Sequence, residues 1–146
     1  MTWRIPILVV LSFCVAFAAH AQDAREFEGR YVGTGYVYNE KGELAKTDLR
    51  MDVRPRDDGT YNVEMGYFRD AVAKFASVKA DGPSRLVVDE DVGGAPGGAR
   101  ATGQIVTEDG TNAAGTIEVR TTGETQKTLR TIRFHVRRLT EKTPRK

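Results

Sequence analysis

Apolar and polar residues alternate with a period of two along much of the chain, beginning near residue 29. The clearest case is residues 46–54, where threonine, leucine, methionine and valine occupy every second position between charged side chains. This period indicates a β-strand with one buried face. Residues 55–59 then contain the proline, aspartate and glycine of a turn, and residues 61–65 resume the alternation. The two segments therefore predict a β-hairpin.

The same alternation returns in shorter segments that are separated by glycine-containing turns. Strands are predicted at residues 29–38, 85–89, 101–107, 116–121 and 128–139.

Residues 67–80 allow two interpretations. Phe68, Val72, Phe75 and Ala76 have the spacing of an amphipathic helix. The segment also leads directly into a turn and the next strand. We therefore expect a strand at residues 72–79, with a loop or short helix at residues 67–71.

About eight strands joined by short turns predict an all-β fold with antiparallel neighbours. No helices of 10–15 residues separate the strands, which excludes parallel βαβ units. An open sheet of eight strands would expose two edges, and closure into a barrel removes both. We expect an up-and-down meander closed into a barrel, with a two-sheet β-sandwich as the alternative.

The N-terminus has the organisation of a secretory signal peptide. Arg4 precedes an apolar run at residues 5–18, and the small-x-small triplet Ala19-His20-Ala21 follows it. The apolar run is shorter than the roughly 20 residues of a helical membrane span. We expect cleavage after Ala21, a single domain at residues 22–139, and a polar, disordered tail at residues 140–146.

Composition fits an exported protein that folds without cross-links. The single cysteine, Cys14, lies in the predicted signal, so the processed chain has no disulfides. No later apolar run could span a membrane as a helix. We expect a periplasmic or secreted protein. The formal net charge of +2 does not indicate any particular class of partner.

The segment Gly29-Arg30-Tyr31 resembles the Gly-x-Trp signature that opens the first strand of lipocalin-like (calycin) barrels, with Tyr31 in place of tryptophan. The resemblance implies that an arginine of the last strand, Arg137 or Arg138, packs over the Tyr31 ring. It also implies a barrel that holds a small apolar ligand. Nitrobindin-like haem barrels share a glycine-rich first strand and a late histidine, which His135 would match.

The apolar positions of the predicted strands define one inward-facing set. Two methionines and two tyrosines within it suit an adaptable apolar pocket with polar groups. A small barrel has room only for its own side chains or for one small ligand, so a filled core is the alternative. The inward set comprises Tyr31, Leu49, Met51, Val53, Tyr61, Val63, Met65, Phe75, Leu86, Val88, Ile105, Ile117, Val119, Ile132, Phe134 and Val136. The predicted pocket residues are Tyr31, Met51, Tyr61, Met65, Phe75 and Phe134.

The end of the chain is basic. Residues 127–146 hold eight lysines and arginines against Glu141 alone. Strand periodicity places Arg133, His135 and Arg137 on the face opposite the apolar set. These three residues are candidates for binding an anionic envelope component or protein. Nucleic acid is not expected, because no aromatic side chains interleave with the basic ones.

Catalytic chemistry is poorly supported. His135 is the only histidine after the predicted signal, and neither Ser77 nor Ser84 lies in a Gly-x-Ser-x-Gly motif. No spacing of metal ligands is present. We therefore expect a non-enzymatic protein without cofactor or metal, which binds a small apolar ligand inside the barrel. The first alternative is a filled-core protein that interacts with, or inhibits, an envelope component through its basic last strand. The second is a haem-binding barrel that uses His135.

Overall fold

The computed structural model describes residues 27–93, 96–107, 109–123 and 125–140 of the 146-residue chain. The predicted signal peptide at residues 1–21 and residues 141–146 of the predicted tail lie outside this part, so both stay predictions. Within the described ranges the chain forms no helix, and therefore no helix there is long and apolar enough to span a membrane.

Eight antiparallel strands form one closed barrel in which each strand pairs with its neighbours in sequence and β1 pairs with β8. This confirms the predicted meander and barrel and excludes the two-sheet sandwich. The strands are β1 (Gly29–Tyr38), β2 (Leu44–Pro55), β3 (Tyr61–Tyr67), β4 (Ala71–Ala80), β5 (Arg85–Val92), β6 (Ala99–Thr107), β7 (Asn112–Thr121) and β8 (Thr128–Arg138).

The ambiguous segment 67–80 forms the end of β3, a turn and β4, and it is not an amphipathic helix, since Phe68 and Val72 are exposed. β4 carries a β-bulge. Tyr61 of β3 pairs with Val78, whereas Val63 pairs with Phe75, so β4 carries one extra residue. Phe75 and Val78, three positions apart, are therefore both buried. The strand expected at residues 72–79 is present as β4, and the loop expected at 67–71 is a three-residue turn at residues 68–70, because β3 continues to Tyr67.

The alternating apolar side chains form the core inside the barrel. Fifteen of the sixteen residues predicted to face inward are buried, and Val119 is half-buried against the core. The core also contains Phe27, Val37, Tyr67, Val78, Ala101 and Ala113. Of these, Tyr67 lies beyond the end of the strand predicted at residues 61–65.

One end of the barrel is sealed by aromatic side chains. Phe27 is 2 % exposed, and its ring meets that of Tyr61 edge-on at 5.8 Å. The Tyr31 hydroxyl donates to the Phe27 carbonyl at 2.9 Å and accepts from Nη2 of Arg138 at 2.8 Å. The Arg138 guanidinium lies 5.3 Å from the Tyr31 ring centroid. The packing implied by the lipocalin resemblance is therefore present, with Arg138 rather than Arg137.

Closure of the barrel requires a close approach between β1 and β8 at Gly33. A Cβ atom at this position would lie 2.1 Å from the carbonyl oxygen of His135. Backbone atoms cannot yield as a flexible side chain does, so only glycine fits.

We predict that Gly33→Ala lowers the free energy of unfolding by about 1–3 kcal/mol, the usual cost of overpacking. Gly66→Ala is the matched control, because a Cβ there would meet only the Arg50 side chain, at 3.5 Å. Urea unfolding followed by circular dichroism measures both. Equal midpoints for the two variants would show that β1 can move away from β8 at little cost.

Candidate functional site

The six predicted pocket residues all lie inside the barrel, between 0 % and 4 % exposed. Tyr31 pairs across strands with Met51, and Met51 pairs with Met65. The Phe134 ring packs beside Gly115, where a Cβ atom would lie 2.6 Å from the ring. These residues are brought together in one cluster, and any contact that they make with a ligand stays a prediction.

The opposite end of the barrel from Phe27 is lined by smaller apolar side chains. Ala71, Ala73, Val92 and Val119 pack against the core but remain half-exposed. Ala73 is the cross-strand partner of Met65. We call these four residues the open-end cluster. Val119 belongs to the predicted inward set, and none of the four is among the six predicted pocket residues.

A tyrosine and an arginine stand beside the open-end cluster. Arg130 donates a hydrogen bond to the Tyr67 hydroxyl, and its guanidinium lies 5.5 Å from the Tyr67 ring centroid. Tyr67 is buried, whereas Arg130 is exposed overall. The pair was missed because Tyr67 was assigned to a loop and Arg130 to a generally basic segment.

The seam between β4 and β5 is short. The two strands pair only through Lys79 with Val87 and Ala80 with Leu86. Beyond this point the Glu90 carboxylate accepts hydrogen bonds from the backbone N–H groups of Ala76 and Ser77, each at 3.1 Å.

The β-bulge of β4 explains why a side chain is needed there. The extra residue takes Ala76 and Ser77 out of the regular ladder, and the Glu90 carboxylate accepts their N–H groups in place of a strand carbonyl. Arg56 donates to the Ala76 carbonyl from the turn before β3. The wall is thus held at this place by side chains rather than by strand pairing, directly beside the open-end cluster.

The three predicted partner-binding residues face outward. Arg133, His135 and Arg137 are exposed and alternate with the buried Phe134 and Val136. His135 therefore does not reach the interior, and no other histidine lies in the part of the chain that the structure describes. A haem inside the barrel would have no histidine ligand from these residues.

We predict that Glu90→Gln weakens the β4–β5 seam, because an amide presents one acceptor oxygen in place of two. The expected loss is about 1–2 kcal/mol for one hydrogen bond to a charged group. Hydrogen exchange at the Ala76 and Ser77 amides should accelerate correspondingly.

Asp91→Asn is the control for this experiment. Asp91 pairs with Arg100 at 2.8 Å, but its side chain is 83 % exposed, so the pair contributes little. If exchange at Ala76 and Ser77 is the same in both variants, Glu90 does not hold the seam.

Comparisons with known proteins return similarity of structure without similarity of sequence. No protein-family model matches the chain, and no curated protein does either. A redesigned β-barrel is 16 % identical, covers 81 % of this chain and 96 % of its own, and has a TM-score of 0.47. A protein of unknown function from the DUF3598 family of Nostoc punctiforme is 8 % identical over 80 % of this chain, also with a TM-score of 0.47. This chain spans about half the length of the second, 49 %.

Proposed function

We propose that the chain is an exported, non-enzymatic binding protein of lipocalin-like architecture that holds one small apolar ligand at the open end of its barrel. The observation that carries this proposal is the difference between the two ends. Phe27, Tyr31 and Arg138 close one end, whereas half-exposed apolar side chains line the other. Apolar side chains that stay accessible at a concave mouth are the usual lining of a ligand site.

The open-end cluster leads to the predicted pocket residues. Because Ala73 pairs with Met65, a ligand that covers Ala73 would rest against the upper part of the core. The side chains of the open-end cluster are smaller than the rings of Phe27 and Tyr61 at the other end. Methionine is the most adaptable core residue, so Met51 and Met65 would adjust to the ligand.

The β4–β5 seam would provide lateral access. A wall held by one carboxylate and one guanidinium opens more readily than a continuous ladder of backbone hydrogen bonds. A small apolar molecule could then enter beside Glu90 without unfolding the closed end.

Export remains part of the proposal. It rests on the signal-like pattern of residues 1–21 and on the absence of cysteine from residues 22–146. The placement in the periplasm or outside the cell follows from that pattern alone.

We predict that the protein purified from its natural source loses mass on denaturation in native mass spectrometry, by the mass of the ligand. The denatured mass also reports whether the chain begins at Gln22. A native mass equal to that of the bare chain would favour the filled-core alternative, in which the interior binds nothing.

The location of the site is tested with the neutral fluorophore N-phenyl-1-naphthylamine. Ala73→Phe places a ring in the open-end cluster, and we expect at least about a tenfold loss of fluorophore affinity from the steric conflict. Leu44→Phe is the control, since Leu44 is 54 % exposed on the outer wall. Both variants should unfold at the same temperature as the unmodified protein. If they then bind the fluorophore with equal affinity, the fluorophore site does not include the open-end cluster.

A further inference from the structure

The outer wall of the barrel carries a groove that runs along β7. Two adjoining depressions share Val106, Ala114 and His135 and so form one continuous groove. Their volumes are about 450 and 410 Å³, and both are open to solvent.

The groove exists because the outward side chains of β7 are short. Ala114 and Thr116 form its floor, and their neighbours in the register are longer. Gln104 and Val106 of β6 form one side, and Arg133 and His135 of β8 form the other. We call this feature the β7 groove. It is one strand wide, so its occupant must be narrow and extended.

The arginines beside the groove are unpaired. Arg133 and Arg137 make no ion pair with any residue that the structure describes, and Arg133 lies over the Tyr38 ring at 5.8 Å. Elsewhere on the wall, four arginines each have a carboxylate within ion-pair distance: Arg54 with Asp52, Arg85 with Asp81, Arg100 with Asp89 and Asp91, and Arg120 with Glu118.

The neighbouring strands reinforce the positive charge. Arg137 pairs with Val32, whose other partner is Arg50, and Arg133 pairs with Tyr36, whose other partner is Lys46. Arg50 and Lys46 are exposed and likewise form no ion pair among the described residues. Arg133 and Lys46 therefore flank the exposed ring of Tyr36. Arg137 and Arg50 flank Val32, four residues earlier on β1.

Two carboxylates face the same region. Asp48 lies on β2, separated from His135 by Thr34. Asp109 lines the far end of the groove. Hydrogen bonds from the backbone N–H groups of Asn112 and Thr111 and from the Asn112 side chain lower the pKa of Asp109. The Asp109 carboxylate is thus ionised and already accepts hydrogen bonds from Thr111 and Asn112.

We propose that the β7 groove docks an extended acidic segment of a partner protein, with aspartate or glutamate at alternate positions. Arg133, His135 and Arg137 recur every two residues, about 6.7 Å apart along the strand. Side chains on one face of an extended peptide recur at the same interval, so alternate carboxylates would meet successive cations or donors. Guanidinium groups bind carboxylates in a bidentate manner, which adds geometry to the charge attraction.

The shape of the groove favours a peptide over a membrane. A bilayer surface is flat, whereas this wall is convex with a concave channel one strand wide. Only an extended chain can reach the floor at Ala114 and Thr116. The proposal does not depend on a ligand inside the barrel.

The test uses three rhodamine-labelled ten-residue peptides in fluorescence anisotropy at low salt. One alternates aspartate with threonine, one has the same composition with the five aspartates contiguous, and one has lysine in place of aspartate. We expect the alternating peptide to bind at least about tenfold more tightly than the contiguous one, and the lysine peptide not to bind. Equal binding of the two acidic peptides would overturn the argument from spacing.

Two double variants with the same change in charge locate the site. Arg133→Gln with Arg137→Gln should weaken the alternating peptide at least about tenfold. Arg85→Gln with Arg120→Gln removes two exposed arginines elsewhere and should change the affinity less than twofold. Equal losses in both would show attraction to overall charge, and the proposal would fail.

Ala114→Phe fills the floor of the groove without changing the charge and should abolish peptide binding. Thr116→Tyr serves the same purpose if Ala114→Phe does not fold. Retained binding in a folded variant would exclude the groove.

Two other anionic ligands are tested in the same way: vesicles containing phosphatidylglycerol, and a polyuronate. If either of them binds through Arg133 and Arg137 and the peptide does not, the occupant is a different one and the proposal is overturned. Binding of N-phenyl-1-naphthylamine should be unchanged in all these variants, which separates this test from that of the proposed function.

Discussion

The barrel depends on the ability of β1 to pair with β2 on one side and with β8 on the other. At Gly33 these partners are Leu49 and Val136, and the β8 backbone comes so near that a Cβ atom would lie 2.1 Å from the His135 carbonyl. A first strand held away from β8 would leave an open sheet with two unpaired edges. Closure in turn separates an interior from an exterior. Alternate side chains of each strand are therefore buried in the core or exposed on the outer wall.

Closure also gives the barrel two different ends. A tyrosine and an arginine meet at each: Tyr31 with Arg138 at the sealed end, and Tyr67 with Arg130 at the open one. At the sealed end Phe27 adds its ring, and its carbonyl accepts the Tyr31 hydroxyl. Towards the open end β4 and β5 are no longer paired, and the Glu90 carboxylate accepts the Ala76 and Ser77 N–H groups instead. The ligand proposal rests on this asymmetry.

Charge is distributed unevenly over the outer wall, because strand register determines which side chains are neighbours. On β5–β7, arginines stand beside acidic side chains of the same or an adjacent strand, as Arg100 does beside Asp89 and Arg120 beside Glu118. Around β1 the neighbours of Arg133 and Arg137 are Tyr36 and Val32, which cannot neutralise them. Strand register, rather than net charge, therefore creates the exposed cationic surface. The short side chains of β7 place a groove at its edge.

Strand periodicity in the sequence determined the all-β class, the meander, the inward-facing set from Tyr31 to Val136, and the outward position of His135, because side-chain direction in a strand depends only on local alternation. The resemblance at Gly29-Arg30-Tyr31 also anticipated an arginine over Tyr31. Only the tertiary structure decided that Arg138 fills that role, that residues 67–80 form a bulged strand, and that Tyr67 meets Arg130. It alone revealed the Glu90 bridge and the groove over Ala114. Each of these depends on which residues face one another across strands distant in sequence, and that register is set by closure of the whole barrel, which no local pattern encodes.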